Sequence, residues 1–423
     1  MIDMTQYYEL TPGVNLHLVK SRKFKTVLYG VYIKRPLNDN EVSLNALLSR
    51  VIDKVSSVYP TQMEMSSALE NLYGAIIVSD IHKYGEKQLI QIKMQVPGAQ
   101  YVGEQSVTAQ ALQFLDQILN RPKIVNGGFD PEIFEAEKLG LISEVEMRKD
   151  DKDGWALSLC VENMSEHEPY SIHEYGSVEA IKKITPASLY EHYQKVLRTS
   201  SIDVIVIGDF EAEDMKNEIE GNLHFYEGAR DVVDREEIIY HPERIKRVEE
   251  SHDIAQGKLA MGYRMNIPYE SDEYLSAFMA TIVLGYGGSS KLFKVVRERE
   301  GLCYTVFARA DKFKSVLLIY AGVDFDKFDK AESLIIEQIE AIKNGEITDS
   351  ELAIAKKSLI SNLQSLSDYQ NSYINYYYNQ YLTGGTLDLD EYIERINLLE
   401  KNDLIMAAKH FELDTIVRLK GEK

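Results

Sequence analysis

Arg297 and Tyr304 carry side chains suited to holding a peptide bond. They lie seven positions apart, where the pattern of the chain changes from a helix to a strand. A guanidinium can hold a substrate carbonyl or carboxylate, and a phenol can donate a hydrogen bond to a developing oxyanion. The structural alternative is that Arg297 caps the helix end and that Tyr304 is a half-buried strand residue. The periodicity alone is compatible with both interpretations.

The segment Ile282–Ala310 contains the elements that must position these two side chains. An apolar run leads into a loop with three glycines, which are Gly285, Gly287 and Gly288. A second helical run follows and ends at Gly301, a usual left-handed helix stop. The residues after it alternate as in a strand. The loop glycines could let a peptide backbone approach closely, although such loops also serve as plain turns.

The order of these features resembles a known signature. A glycine-rich loop, Ser-Ser-Lys-Leu-Phe and Arg-x-x-x-Gly-Leu-x-Tyr are similar to the second-domain signature of the insulinase/pitrilysin metallopeptidases, including the processing-peptidase type. In that family the arginine and tyrosine help to hold the substrate at a zinc centre built by another domain or subunit. The resemblance implies this substrate-binding role for Arg297 and Tyr304, with Gly287 and Gly288 beside the peptide.

The zinc motif of that family is absent from the first half of the chain. Active members carry His-x-x-Glu-His, in which two histidines bind the metal and the glutamate polarises the attacking water. Here the matching helix reads SLNALLSRVIDKV, and the three key positions fall near Leu47, Arg50 and Val51. Leucine and valine offer zinc no lone pair, and Arg50 stays protonated. No histidine occurs between His17 and His82, so we expect no zinc on this chain.

Three other sets of residues could have a functional role, but we interpret each of them as structural. Glu137 and Glu144 lie on a segment similar to the family's third-ligand helix, but without histidines we interpret them as a solvated or interface face. His167 and His173 could suggest a second metal site, yet the family has a similar structural Pro-Tyr segment. Tyr373–Tyr381 could line a peptide channel, but helical spacing favours core and surface positions.

The chain repeats one pattern at domain scale. A predicted strand at Thr26–Ile33 precedes Pro36, and another at Lys258–Met265 precedes Pro268. Two helices follow in each half, and each half closes with a helix and a β-branched strand. We therefore predict one α+β unit used twice, at a separation of about 200–230 residues.

The predicted fold is α+β, with two homologous α/β-sandwich domains in a clam-like arrangement, each an antiparallel-rich sheet covered by helices. The predicted N-terminal domain spans residues 1–225 and the C-terminal domain spans residues 251–423. The charged residues 226–250 are interpreted as the linker. Within the first domain, Val14–Lys20 and Thr26–Ile33 are interpreted as a hairpin.

Composition restricts the partners. The formal net charge of −20 over 423 residues argues against nucleic acid or an anionic membrane. The first residues lack the pattern of a secretory signal, and no apolar run reaches the ~18 residues of a membrane helix. Two distant cysteines, Cys160 and Cys303, fit a reducing compartment. We expect a cytoplasmic location.

Together these features favour a non-catalytic subunit of a heteromeric insulinase-like zinc peptidase. A zinc-bearing partner would form the heterodimer, and this chain would supply Arg297 and Tyr304 for peptide cleavage. Bacterial members of the family work as such pairs, so the resemblance implies a bacterial two-chain enzyme. We expect no cofactor on this chain and no activity alone, with a homodimer as the alternative assembly. The alternative function is a non-peptidase binding or assembly protein that retains the fold.

Overall fold

Two compact units make up the computed structural model, which describes residues 2–385 and 389–422. Among these residues, unit 1 comprises the chain up to Glu146 together with Ile172–Asp234. Unit 2 comprises Met147–Ser171 and the chain from Arg235 onward. A segment from the first half of the sequence thus belongs to the second unit.

Unit 1 contains a six-stranded sheet in the order β1-β2-β8-β3-β5-β4. Its strands are β1 (Ile2–Thr11), β2 (Val14–Ser21), β3 (Thr26–Pro36), β4 (Ile76–Tyr84), β5 (Lys87–Pro97) and β8 (Ser201–Gly208). The short strands β6 (Ile124–Val125) and β7 (Gly128–Phe129) form a separate ribbon. Of the neighbouring pairs in the larger sheet, β2 and β8 run parallel and the others run antiparallel.

The predicted hairpin between β2 and β3 is wrong, because β8 lies between them and pairs with both. The β8 sequence explains its place. Ile202, Val204 and Val206 face one side of the sheet, and Ile205 and Ile207 on the other side are equally buried. A strand that is apolar on both faces is suited to the interior of a sheet rather than to its edge.

The helices of the first half pack mainly on one face of this sheet. They are α1 (Val42–Val51), α2 (Gln62–Asn71), α3 (Ala99–Val102), α4 (Ser106–Asn120), α5 (Pro131–Met147), α6 (Lys152–Met164), α7 (Val178–Lys183), α8 (Pro186–Thr199) and α9 (Ala212–Asn222), with a 3₁₀ turn at Pro169–Ser171. The apolar stripes of α1 and α4 contribute Leu47 and Leu115 to a core shared with Ile92 of β5. All but α6 and the 3₁₀ turn lie largely in unit 1.

Unit 2 contains a five-stranded sheet in the order β11-β12-β10-β13-β9. Its strands are β9 (Lys246–His252), β10 (Gly257–Arg264), β11 (Cys303–Asp311), β12 (Val316–Val323) and β13 (Glu412–Gly421). Only β9 and β13 among these neighbours run parallel. The same order and directions occur in unit 1 as β4-β5-β3-β8-β2. The predicted α+β fold with two homologous units is therefore confirmed.

The helices of the second half complete unit 2. They are α10 (Tyr274–Gly285), a π-helix (Phe293–Arg299), α11 (Phe328–Lys343), α12 (Asp349–Leu366), α13 (Gln370–Leu382), α14 (Leu389–Leu398) and α15 (Lys401–Ala408). Residues 223–245 contain no helix or strand, and β9 follows within the segment interpreted as a linker. Throughout the described ranges, no helix is both long and apolar enough to cross a membrane.

Helix α6 covers one face of the unit 2 sheet. Its Cys160 and Met164 pack in a cluster with Tyr320 of β12 and Val417 of β13. Gly262 of β10 makes this approach possible, because a Cβ there would lie 2.9 Å from the Met164 sulfur. The helix and the sheet are therefore in direct contact, although the chain between them is long.

The central strand of each sheet carries a buried arginine near its end. Arg35 of β3 binds Glu41, with Nε 3.1 Å from Oε2, and Asp231, with Nη1 3.2 Å from Oδ2. A further ion pair joins Glu41 to Lys195.

In unit 2, Arg264 of β10 binds Asp414, with Nε 2.9 Å from Oδ2, and Glu168, with Nη2 2.6 Å from Oε1. The fully buried ammonium of Lys314 lies 2.6 Å from Oε2 of the same Glu168. Both units thus use carboxylates from other segments to neutralise a cation at the end of the central strand.

Candidate substrate-binding site

The glycine-rich loop starts where α10 ends against β11. A Cβ on Gly285 would lie 2.4 Å from the backbone nitrogen of Ala308, so only glycine permits this contact. Gly287 has φ +75°, which favours glycine on backbone grounds alone. Gly288 is under neither constraint, because its added Cβ would lie 3.8 Å from the Phe293 ring, an ordinary contact. Contact of Gly287 and Gly288 with a peptide stays a prediction.

The helix after the loop is wound as a π-helix. The N–H of Glu300 donates to the carbonyl of Val295, five residues earlier, at 3.1 Å. Gly301 then takes φ +60°, and Leu302 N–H donates to the Val296 carbonyl at 3.0 Å. The left-handed glycine stop and the strand after it were both expected from the sequence. The π geometry was not, and such turns are frequent at functional sites.

The structure brings Arg297 and Tyr304 together. The guanidinium carbon of Arg297 lies 4.9 Å from the centre of the Tyr304 ring and 4.5 Å from the centre of the Phe293 ring. Tyr304 is 77% exposed, whereas Arg297 is partly buried. Within residues 2–385 and 389–422, Arg297 forms no ion pair and no hydrogen bond to the helix end. Arg297 therefore does not cap the helix end, which was the structural alternative.

The Phe293 ring is a part of this site that sequence reasoning missed. The sequence pattern favours an apolar helix face for Phe293, and no site role was predicted for it. The signal available was the i, i+4 spacing of an aromatic residue and an arginine, which places two side chains on one helix face.

The three residues predicted to occupy the family's zinc positions lie on α1 in unit 1. Leu47 and Val51 are buried in the core of that unit, while Arg50 is 30% exposed. The Arg50 Nε lies 3.3 Å from Oε2 of Glu137, and its Nη1 lies 2.5 Å from Oε2 of Glu144. Burial opposes the charged form, but hydrogen bonds to both carboxylates raise the pKa of Arg50 above its usual value.

Glu137 and Glu144, which the sequence suggested lie on a solvated or interface face, both contact Arg50. They lie two turns apart on α5, with Gly140 between them, and an added Cβ at Gly140 would lie 3.4 Å from Arg50 Nη2. Tyr175 also hydrogen-bonds to Glu144, and burial followed by this bond raises the pKa of the phenol. A guanidinium thus occupies the space between the two carboxylates. We call Arg50, Glu137 and Glu144 the Arg50 cluster.

No group of three or more His, Cys, Asp or Glu side chains suited to a metal occurs in the ranges that the structure describes. His173 accepts a backbone hydrogen bond from Tyr175 N–H at 3.2 Å, which is a local structural contact. Tyr373 and Tyr378 of α13 are buried, as the core interpretation of that helix expects. Both cysteines are free and buried.

A surface cavity of about 640 Å³ lies beside the π-helix, but it is separate from the arginine–tyrosine pair. Lys291, Val295 and Arg299 line it on one side, and Thr348 contributes on the other. Neither Arg297 nor Tyr304 lines this cavity, so the exposed pair faces a different part of the surface.

Several known proteins are similar to this chain. A family model described as the peptidase M16 inactive domain matches residues 183–359. The chain is 28% identical over 412 residues to a Bacillus subtilis protein named probable inactive metalloprotease YmfF, covering 97% of this chain and 96% of the relative. The chain is thus similar to proteins of the peptidase M16 family. The resemblance predicted from the sequence is thereby confirmed.

Two further proteins extend the similarity. A Helicobacter pylori protein named non-peptidase homolog YmxG is 23% identical over 316 residues, which cover 73% of this chain and 70% of that protein. The crystal structure of a conserved protein from Enterococcus faecalis superposes with a TM-score of 0.91 at 29% identity, covering 99% of each chain. This chain is thus a homologue of M16 proteins that are named inactive.

Proposed function

We propose that this chain is the non-catalytic subunit of a two-chain M16 peptidase and that it holds the peptide substrate for a zinc-bearing partner. The observation that carries the proposal is the Arg297–Tyr304 pair, which is exposed at the phenol and has no ion pair at the guanidinium within the described chain. A residue kept only for stability would gain from a carboxylate partner, and other arginines in the described ranges, such as Arg35, Arg50 and Arg264, have one.

The chemistry assigned to this chain is hydrogen-bond donation. The Tyr304 phenol donates to the carbonyl oxygen that gains negative charge, and Arg297 donates to a neighbouring peptide carbonyl. Zinc on the partner would activate water and polarise the same carbonyl. The zinc positions of this chain are filled by two core residues and the Arg50 cluster, so the partner must contribute the metal.

The proposal includes the organisation expected from the sequence. Residues 1–225 and 251–423 would be the two insulinase-like domains, joined by residues 226–250, in a heterodimer located in the cytoplasm. The substrate would be a peptide, and neither nucleic acid nor a membrane would be a partner.

The first test is the metal content and peptidase activity of the purified chain, alone and with a zinc-bearing M16 protein from the same organism. We expect no zinc and no activity alone, with about one zinc per pair and chelator-sensitive cleavage by the pair. Stoichiometric zinc on the lone chain would overturn the proposal.

The second test is Tyr304→Phe in the reconstituted pair. Loss of one oxyanion donor is expected to lower kcat about 100-fold without loss of pairing. Tyr369→Phe is the matched control, because Tyr369 is also exposed and lies outside the site. An unchanged rate for Tyr304→Phe would count against the substrate-holding role.

The second candidate function is a binding or assembly protein that keeps the fold without serving a peptidase. The similarity to a relative named a non-peptidase homolog favours it. This candidate predicts a stable complex in which neither Tyr304→Phe nor Arg297→Lys alters any peptidase rate.

A further inference from the structure

We propose that Phe293 is a positioning residue that holds the Arg297 guanidinium for its acceptor, an inference that rests on the proposed function. The guanidinium carbon lies 4.5 Å from the Phe293 ring centre and 4.9 Å from the Tyr304 ring centre. We call Phe293, Arg297 and Tyr304 the guanidinium clamp. In the described chain the two rings make no ring contact with each other, so the arginine is what links them.

In the clamp, aromatic rings take the place of the carboxylates that hold other arginines in the described chain, such as Arg50 and Arg264. Arg50 and Arg264 are each held by two acidic side chains, which also engage some of their N–H donors. Aromatic rings attract a cation through their faces and accept no conventional hydrogen bond from its edge. An arginine held by rings is therefore oriented while its planar N–H donors remain available to a ligand.

Phe293 is itself held at the start of the π-helix. Its N–H donates to the Ser290 hydroxyl at 3.4 Å, and the Ser290 hydroxyl donates to the Gly287 carbonyl at 2.8 Å. Its ring packs beside Gly288, where an added Cβ would be 3.8 Å away. The glycine-rich loop thus contacts the ring that contacts the arginine. This connection gives the loop a role in the site without direct contact with substrate.

The clamp also defines the acceptor. A guanidinium donates hydrogen bonds only in its own plane, and the matching acceptor is a carbonyl or carboxylate oxygen in that plane. Lysine cannot reproduce this, because an ammonium has no preferred plane. We therefore expect Arg297→Lys to lose most of the substrate-holding effect although the charge is kept.

The lone chain provides a test that does not depend on peptidase function. The side-chain Nε–Hε resonance of Arg297 is assigned by ¹⁵N NMR from its disappearance in Arg297→Lys. Ring currents should displace this resonance in the native chain. Phe293→Leu should remove a large part of the displacement, and Phe293→Tyr should keep it. The Arg299 resonance is the internal control, because Arg299 lies on the same π-helix but binds Glu300 at 3.1 Å.

An Arg297 resonance unchanged by Phe293→Leu would overturn the positioning role. Thermal unfolding of Phe293→Leu is measured in parallel. If this variant is unfolded, Phe293→Met keeps an unbranched apolar side chain at the site and serves in its place.

The reconstituted pair then tests the consequence for substrate. Phe293→Leu should lower kcat about tenfold, and Phe293→Tyr should restore it. Adding Phe293→Leu to Arg297→Lys should cause little further loss, since the ring acts through the arginine. Fully multiplicative losses would contradict the proposal. A shifted NMR resonance with an unchanged kcat in every clamp variant would instead show that the clamp exists and that the proposed function is wrong.

Discussion

The two units contain the same helix-to-strand corner with different side chains. In unit 1, α2 is followed by Gly74 with φ +72° and then by the edge strand β4. In unit 2, the π-helix is followed by Gly301 with φ +60° and then by the edge strand β11. The residues four before and three after the glycine are Glu70 and Ile77 in unit 1. In unit 2 they are Arg297 and Tyr304.

This difference separates what the fold requires from what the site requires. A left-handed glycine occurs in both corners, so it belongs to the turn itself. The arginine and the phenol occur in one corner only, and the equivalent positions of unit 1 accept an exposed glutamate and a partly buried isoleucine. The fold therefore does not need this pair, and its presence in unit 2 favours a role in binding.

The largest expected effect on stability comes from the buried arginine at the end of the central strand, which each unit has in its own copy. Glu168→Gln removes the carboxylate that neutralises both Arg264 and the fully buried Lys314. We expect the free energy of unfolding to fall by about 3–5 kcal/mol, measured by urea denaturation. Glu41→Gln in unit 1 should cost less, because Arg35 keeps Asp231 and the other cation, Lys195, is 52% exposed.

The pH dependence of stability follows from the pKa of Glu168. Burial raises the pKa of Glu168, but hydrogen bonds from Arg264 and Lys314 outweigh it, so the pKa is lowered from 4.5. This carboxylate stabilises the fold fully above pH 4.5 and progressively less as the pH falls toward its lowered pKa. The native chain should lose stability over that acid range, and Glu168→Gln should show a smaller loss there.

Exchanging the corner residues is expected to have the next largest effect. Arg297→Glu gives the corner of unit 2 the residue found in unit 1 and should lower kcat of the reconstituted pair about 100-fold. Glu70→Arg is the reciprocal exchange and should leave kcat unchanged, since Ile77 offers no donor. Changes in kcat of similar size but opposite direction for the two exchanges would mean that net charge, and not the guanidinium clamp, controls turnover.

An added methyl group is expected to destabilise the chain more at the contact between α10 and β11 than in the loop beside it. Gly285→Ala places a methyl group 2.4 Å from the backbone of Ala308 and should destabilise the chain by about 1–3 kcal/mol. Gly288→Ala is the matched control, with an expected change within about 0.5 kcal/mol. Thermal unfolding of both variants measures the difference, and equal losses would contradict the packing argument.

The smallest effect is expected at the Arg50 cluster. Arg50→Met keeps the length of the side chain but leaves Glu137 and Glu144 without their shared cation. Because these groups are partly exposed, we expect a loss of about 1 kcal/mol in urea denaturation. Arg121→Met, at an exposed arginine of the same unit, should change stability less. Zinc binding by Arg50→Met would show that the carboxylates alone suffice, contrary to our expectation.

Local patterns predicted local features well. The β-branched run at β8 and the left-handed Gly301 follow from short-range spacing, whereas the site role of Arg297 and Tyr304 was implied only by the family resemblance. Features that join distant segments were not predicted. The contact of Arg50 with α5 depends on the packing of two helices that are distant in sequence. The sequence of α1 alone does not indicate which carboxylates Arg50 will contact. For the same reason the position of β8 between β2 and β3 was missed.

The place of α6 has a consequence for synthesis on the ribosome. This helix is made long before the sheet that it covers, and the strand β13 that carries Val417 is the last one of the described chain. The apolar side of α6 must therefore remain without its sheet until nearly the whole polypeptide has emerged. Unit 2 can complete its folding only after translation reaches β13, and a nascent chain stalled in residues 223–245 would expose a surface that chaperones recognise.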